Sequence, residues 1–265
     1  MNNRPYSPLV PISAGLVLLF LIVPTVVIVY SSFSPSSRIS FPPQAVTLKW
    51  FFNFFENDQF RGALFNSLAV TALVTPLTLA IAVPASLAIV RRDFPGRALL
   101  SALALSPLAV PGVVIGVALL NFFSWAGLYT GFWKISIALV IITLPFAIRA
   151  LVATLEGLDL SLEEASRNLG AGRLHTFFHI TLPQLRSGML AGGIFVFVEA
   201  IDNFSTVVFL TDMQTNVLSV QAYGYIRDFN DPTVSAMATI LIVQSIVLVL
   251  LLQRFAGFEK VLAGK

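Results

Sequence analysis

Six apolar stretches, each close to the length of a membrane crossing, constrain this chain more than any other feature. A helix rises 1.5 Å per residue, so roughly 20 apolar residues cover the hydrocarbon core of a bilayer. Such stretches run over about 9–30, 63–90, 99–123, 135–155, 189–210 and 234–252 of the 265 residues. In lipid the backbone must satisfy its own hydrogen bonds, and continuous runs of this length predict helices. Only 11% of the residues are charged, against about 25% in soluble domains. The expected fold class is therefore an all-α integral membrane protein of about six transmembrane helices, in one domain covering residues 1–265. The first stretch is too long for a signal-peptide core and lacks a small-residue cleavage site, so it reads as a span. The absence of cysteine excludes a disulfide framework, Cys-ligated metal and thiol catalysis.

Lysine and arginine set the orientation. With the N-terminus inside, Arg4, Arg91, Arg92, Arg97, Arg149, Arg167, Arg173, Arg186, Arg254, Lys260 and Lys265 fall on the cytoplasmic side. Arg38, Lys49, Arg61, Lys134 and Arg227 fall on the other. This asymmetry accounts for the net charge of +3 without nucleic acid and places both ends in the cytoplasm. The aromatic run Trp50 to Phe55 is expected at the membrane interface.

The longest polar segment that still reads as folded is Leu158 to Ser187, on the cytoplasmic side. Ser161 and Glu164 have the spacing of a capping box. Leu162, Ala165 and Leu169 recur at helical spacing, and Gly170 suits the left-handed residue that ends a helix. A second short helix fits about Arg173 to Thr181, and Pro183 belongs in the first turn of the helix after it. The prediction is two short helices meeting at a glycine, a rigid knob between spans. His175 and His179, four apart, have no HExxH context and read as solvated or docking-face residues rather than metal ligands.

Two clusters in the spans carry further signal. Pro107, Pro111, Gly112 and Gly116 predict a bend in the third span, which would line a pathway. Glu199 and Asp202 lie three apart in the fifth span, on one helical face, with Asn203 beside them. Carboxylates at that depth cost several kcal/mol, so they should face a wet path or a partner's polar groups, unless one stays protonated.

The run Glu164-Ala165-Ser166, Gly170 and then Ile180-Thr181-Leu182-Pro183 resembles the EAA loop of membrane subunits of binding-protein-dependent ABC importers. Ser166 stands where that motif has a second alanine, and Ser187 where relatives often carry proline. The resemblance implies a type I ABC importer permease fold whose loop docks on a cytoplasmic ATPase through Glu163, Glu164, Ala165, Ser166, Gly170, Ile180, Leu182 and Pro183. The candidate substrate path, at Glu199, Asp202, Asn203, Pro111 and Gly112, is read from the residues themselves, and the resemblance adds weight to it at Asp202 and at the proline–glycine stretch. The chain is most similar to the spermidine/putrescine-type subfamily, through Asp202, Leu218 to Gln221, Asp231-Pro232-Thr233, Tyr30 to Phe33 and Asn66-Ser67-Leu68. Asn203 and Ala200 depart from that pattern, and Glu199 adds to it.

The implied partners are a second, similar but non-identical permease subunit, two copies of the ATPase and an extracytoplasmic binding protein. The implied location is the bacterial inner membrane. The chain has no GxxxxGK[ST] phosphate loop, so ATP and Mg are expected on the ATPase and no cofactor on this chain. The competing expectation is an autonomous ion-coupled transporter working through Glu199 and Asp202; an intramembrane hydrolase finds no supporting constellation.

Overall fold

The computed structural model describes residues 9–36, 45–229 and 231–255, and all regular structure among them is helical. The helices are α1 (Leu9–Ser31), α2 (Lys49–Glu56), α3 (Asp58–Arg91), α4 (Arg97–Leu105), α5 (Gly112–Trp125) and α6 (Gly131–Glu156). They continue with α7 (Ser161–Asn168), α8 (Arg173–Thr176), α9 (Leu182–Gln184), α10 (Arg186–Asp202), α11 (Leu218–Asp228) and α12 (Thr233–Phe255). These elements make an all-α membrane protein, with α1, α3 and α6 each long and apolar enough to cross a bilayer. The expected cytoplasmic ends, with Arg4, Lys260 and Lys265, and also Arg38, lie outside the described residues.

Two of the expected spans are not continuous helices. In the third, α4 and α5 meet at 109° after a 3-10 turn over Ser106–Ala109. Pro111 is the cause: it has no N–H to donate and holds Val110 in extended backbone, so the helix stops and a new one starts at Gly112. In the fifth, helix α10 ends at Asp202 rather than near Leu210, because Asn203 turns extended. Its other end joins the preceding short helices at 65°.

The chain forms two compact units. One contains the described residues up to Arg61 and those within Ala222–Gln244. There α1 exposes apolar side chains along its length, Leu16 and Phe20 among them, as a helix does whose solvent is lipid. The aromatic run is half interior: Trp50 and Phe54 are buried while Phe52 and Phe55 face out. Trp50 Nε1 donates to the Ser34 carbonyl at 2.6 Å, and Phe54 stacks on Phe60, which meets Tyr225 edge-on. Asp231 accepts from the Thr233 N–H and the Tyr225 hydroxyl at 2.8 Å each, opening α12 with Pro232 in a position that needs no donor.

The other unit contains Gly62–Gln221 and the described residues from Ser245. Its axis is α6, whose Leu139, Ala147 and Leu151 are buried. Helix α10 lies against it through Gly188 and Gly192, four residues apart on one face. A methyl group added at Gly188 would come within 2.5 Å of Thr154 Oγ1, and one at Gly192 within 3.3 Å of Ala147 Cα. Small residues at this spacing let membrane helices approach closely where no hydrophobic effect drives them together. On another side of α6, Thr143 shares a 3.2 Å hydroxyl contact with Thr78 of α3. The second unit thus holds the ends of α3, α6 and α10 in register for the segment that joins α6 to α10.

Candidate functional site

The segment Leu158–Ser187 is an ordered knob. Helix α7 does not use the capping box: no side chain of Ser161 caps it. Instead Asp159 accepts the Ser161 N–H at 2.9 Å, and Leu160 already has helical dihedrals, so the cap sits two residues earlier than the spacing predicts. That bond holds the Asp159 carboxyl below the usual carboxylate range. At the other end Gly170 takes φ +86°. Its N–H reaches the Arg167 carbonyl and the Ala171 N–H reaches that of Ser166, the pair of bonds that closes a helix on a left-handed residue.

After Gly170 the chain enters α8 and then a π turn over Phe177–Thr181, in which the Leu182 N–H bonds back to the Phe177 carbonyl. Pro183 explains the widening, since its ring cannot follow a regular helical turn without meeting the carbonyl four residues back. The two halves of the knob touch through Ser166 Oγ and Thr176 Oγ1, 3.1 Å apart.

Burial divides the expected coupling residues. Glu164, Ala165 and Gly170 are exposed, and Ser166, Ile180, Leu182 and Pro183 are partly covered. The apolar positions at helical spacing do not turn to the core: Leu162 and Leu169 are exposed, as are Leu174 and Phe178. Glu163 is the exception and faces inward, 5% exposed. Arg91 Nη1, at the end of α3, donates to its two oxygens at 2.6 and 2.7 Å, and Thr181 Oγ1 donates at 2.7 Å. Burial pushes the Glu163 carboxyl up, but the bonds from Arg91 and Thr181 outweigh it and hold the group below its ordinary range. A cavity of about 920 Å³ opens beside this pair, lined by Arg91, Arg92, Glu156, Glu164, Arg167 and Arg173 among others. Arg91 had carried only a topological meaning in the sequence, and no spacing signal pairs positions so far apart.

The candidate path residues meet where two helices break. Thr206 Oγ1, just past α10, donates to the Gly112 carbonyl at 3.0 Å, next to the Pro111 break. Asn203 is buried; its Oδ1 accepts the Thr206 N–H and its Nδ2 donates to Glu199 Oε1 at 3.2 Å. Glu199 is half-buried in this chain of contacts, whereas Asp202 is exposed, so the two carboxylates occupy different surroundings. Thr206 escaped the sequence reading because the fifth helix was expected to run through it.

Asp212 lies in the polar loop beyond the expected fifth span, where no spacing signal marks it: it accepts the N–H of Gly131 at the start of α6 and those of Gln214 and Thr215. Asn66 and Ser67 bind the same loop, Asn66 through the Asn216 carbonyl and Ser67 through the Leu218 N–H. His175 and His179 stack face to face at 4.0 Å on the exposed side of the knob. Among the described residues no group of three or more His, Asp or Glu could hold a metal.

An all-α membrane bundle with a kinked entry to α10 and an ordered polar knob between spans defines the class: the permease subunit of an ABC importer. The chain belongs to the family described as binding-protein-dependent transport system inner membrane component, which matches residues 79–257. It is 28% identical over 237 residues to the spermidine/putrescine transport system permease protein PotC of Escherichia coli K12, covering 89% of each chain. It is 33% identical to the sulfate transport system permease protein CysT of Salmonella typhimurium, over 60% of this chain and 62% of that one. A solved bacterial ABC transporter that imports the acidic polysaccharide alginate shares the fold, with a TM-score of 0.74 at 17% identity over 95% of this chain and 94% of that one. Membership makes this a non-catalytic membrane subunit and sets aside the ion-coupled and hydrolase readings.

Proposed function

We propose that this subunit forms half of the translocation path of an ATP-driven importer for a small amine-bearing solute, with polyamines the favoured class. The observation that carries the coupling part is the outward face of the knob. Glu164, Leu162, Leu169 and Gly170 lie exposed on a rigid element, and apolar side chains in such a place call for a protein partner. That partner is a cytoplasmic ATPase present in two copies, which carries ATP and Mg. A second, non-identical permease subunit completes the path, and an extracytoplasmic binding protein delivers the solute. The chain crosses the inner membrane six times, counting α4 with α5 as one broken span, and both termini are cytoplasmic.

The solute class is supported by the similarity to PotC over 89% of the chain and by two carboxylates near the helix breaks, Glu199 and Asp202. The similarity to a sulfate permease makes an oxyanion the alternative to exclude. The test is uptake of labelled putrescine, spermidine and sulfate into proteoliposomes holding both permeases, the ATPase and the binding protein. Polyamine uptake that needs ATP and disappears in Glu164→Lys and Gly170→Arg, with membrane insertion intact, is the expected result. Sulfate uptake without polyamine uptake overturns the solute class, and uptake without the ATPase overturns the coupling.

A further inference from the structure

The knob carries two adjacent glutamates with opposite fates. Glu164 points out, whereas the Glu163 side chain is only 6% exposed and joins three elements, of which α3 is distant in sequence from the other two. Arg91 belongs to the end of α3, Glu163 to α7, and Thr181 to the π turn through which the knob passes into α10. Arg167 adds a looser contact to the same carboxylate at 3.8 Å. Among the described residues nothing else competes for Arg91: its Nε and Nη2 are buried and bond to no group there.

A buried ion pair is a poor source of net stability, because desolvation offsets most of the attraction. Its effect is on geometry, since opposite charges in a low-dielectric setting resist separation and one partner cannot leave without stranding the other. π turns are rare and need holding, and Thr181, the last residue of this one, is held by Glu163.

We propose that Arg91 and Glu163 are a positioning pair that locks the knob to the end of α3, so that motion received at the exposed face enters the bundle through α3 as well as through α10. The inference rests on the reading of the knob as the ATPase contact, and adds the route by which movement leaves it.

The chain has no cysteine, so introduced labels report only the chosen sites. In the full transporter, Ser161→Cys on α7 and Ile81→Cys on the exposed side of α3 carry spin labels, both outside the pair. Their distance distribution is measured nucleotide-free and trapped with ATP and vanadate. The parent should give one narrow distribution, unchanged between the two states. Glu163→Gln and Arg91→Met should each add a second population in both states, displaced by more than the parent's width in the trapped state. Arg91→Glu with Glu163→Arg should restore the single population, which a merely space-filling role would not do.

A parent whose distance shifts on trapping, or variants that match the parent in both states, overturns the pair. Should Glu163→Gln and Arg91→Met fail to insert, Thr181→Val removes one hydrogen bond and should broaden the distribution; failure of all three to insert marks a purely structural pair and also overturns the proposal. Failure of the ATPase to copurify with the parent tells against the docking reading instead, and the nucleotide-free comparison of parent and variants still decides the lock.

Discussion

At the scale of single residues, the inward turn of Glu163 has a consequence for pH. Its folded carboxyl lies below the ordinary range, so the contribution is complete above that range and is lost as pH falls through the folded value. The difference in thermal stability between the native chain and Glu163→Gln should therefore be constant near neutrality and shrink under acid, as read by melting in detergent. Gly170 at φ +86° makes a second case. Nothing crowds the position, so Gly170→Ala should cost about 1–2 kcal/mol through backbone strain alone, visible as faster hydrogen exchange at the end of α7. In the membrane, Asp202 is exposed and Glu199 is tied to Asn203. Asp202→Ala should lower uptake while leaving the subunits assembled. Unchanged transport kinetics would assign Asp202 a passive role.

At the scale of elements, the α6–α10 contact depends on the absence of side chains. Gly188→Ala would press a methyl group on Thr154 and should destabilise the pair by about 1–3 kcal/mol. Adding Thr154→Ala should recover much of that loss in the same melting measurement, since the clash lies with the Thr154 side chain. Independent additivity of the two changes would show that the helices do not meet there. The knob is an element with two halves in hydroxyl contact at Ser166 and Thr176. The motif suggested a small residue at Ser166 for close packing, and the structure adds that its hydroxyl reaches α8. The broken third span teaches the same point from the other side. Pro111 announced a bend, and the structure adds its size, 109°, and the close approach of Gly112 and Gly116 to Thr206 just beyond α10.

At the scale of the whole molecule, the sequence by itself determined the solvent, the class and the position of the knob. Those are local properties: twenty apolar residues need lipid whatever surrounds them, and a glycine that ends a helix does so through its own dihedral. The tertiary structure decided which glutamate turns inward, where α10 stops and what Asp212 holds. Each depends on a partner that is remote in the chain: Arg91 lies 72 residues from Glu163, Gly112 94 from Thr206 and Gly131 81 from Asp212. A capping box and a polar residue bonded at the far side of the bundle look alike in one dimension. The difference between them is the desolvation that only packing imposes, and with it the requirement that every buried charge find its counterpart.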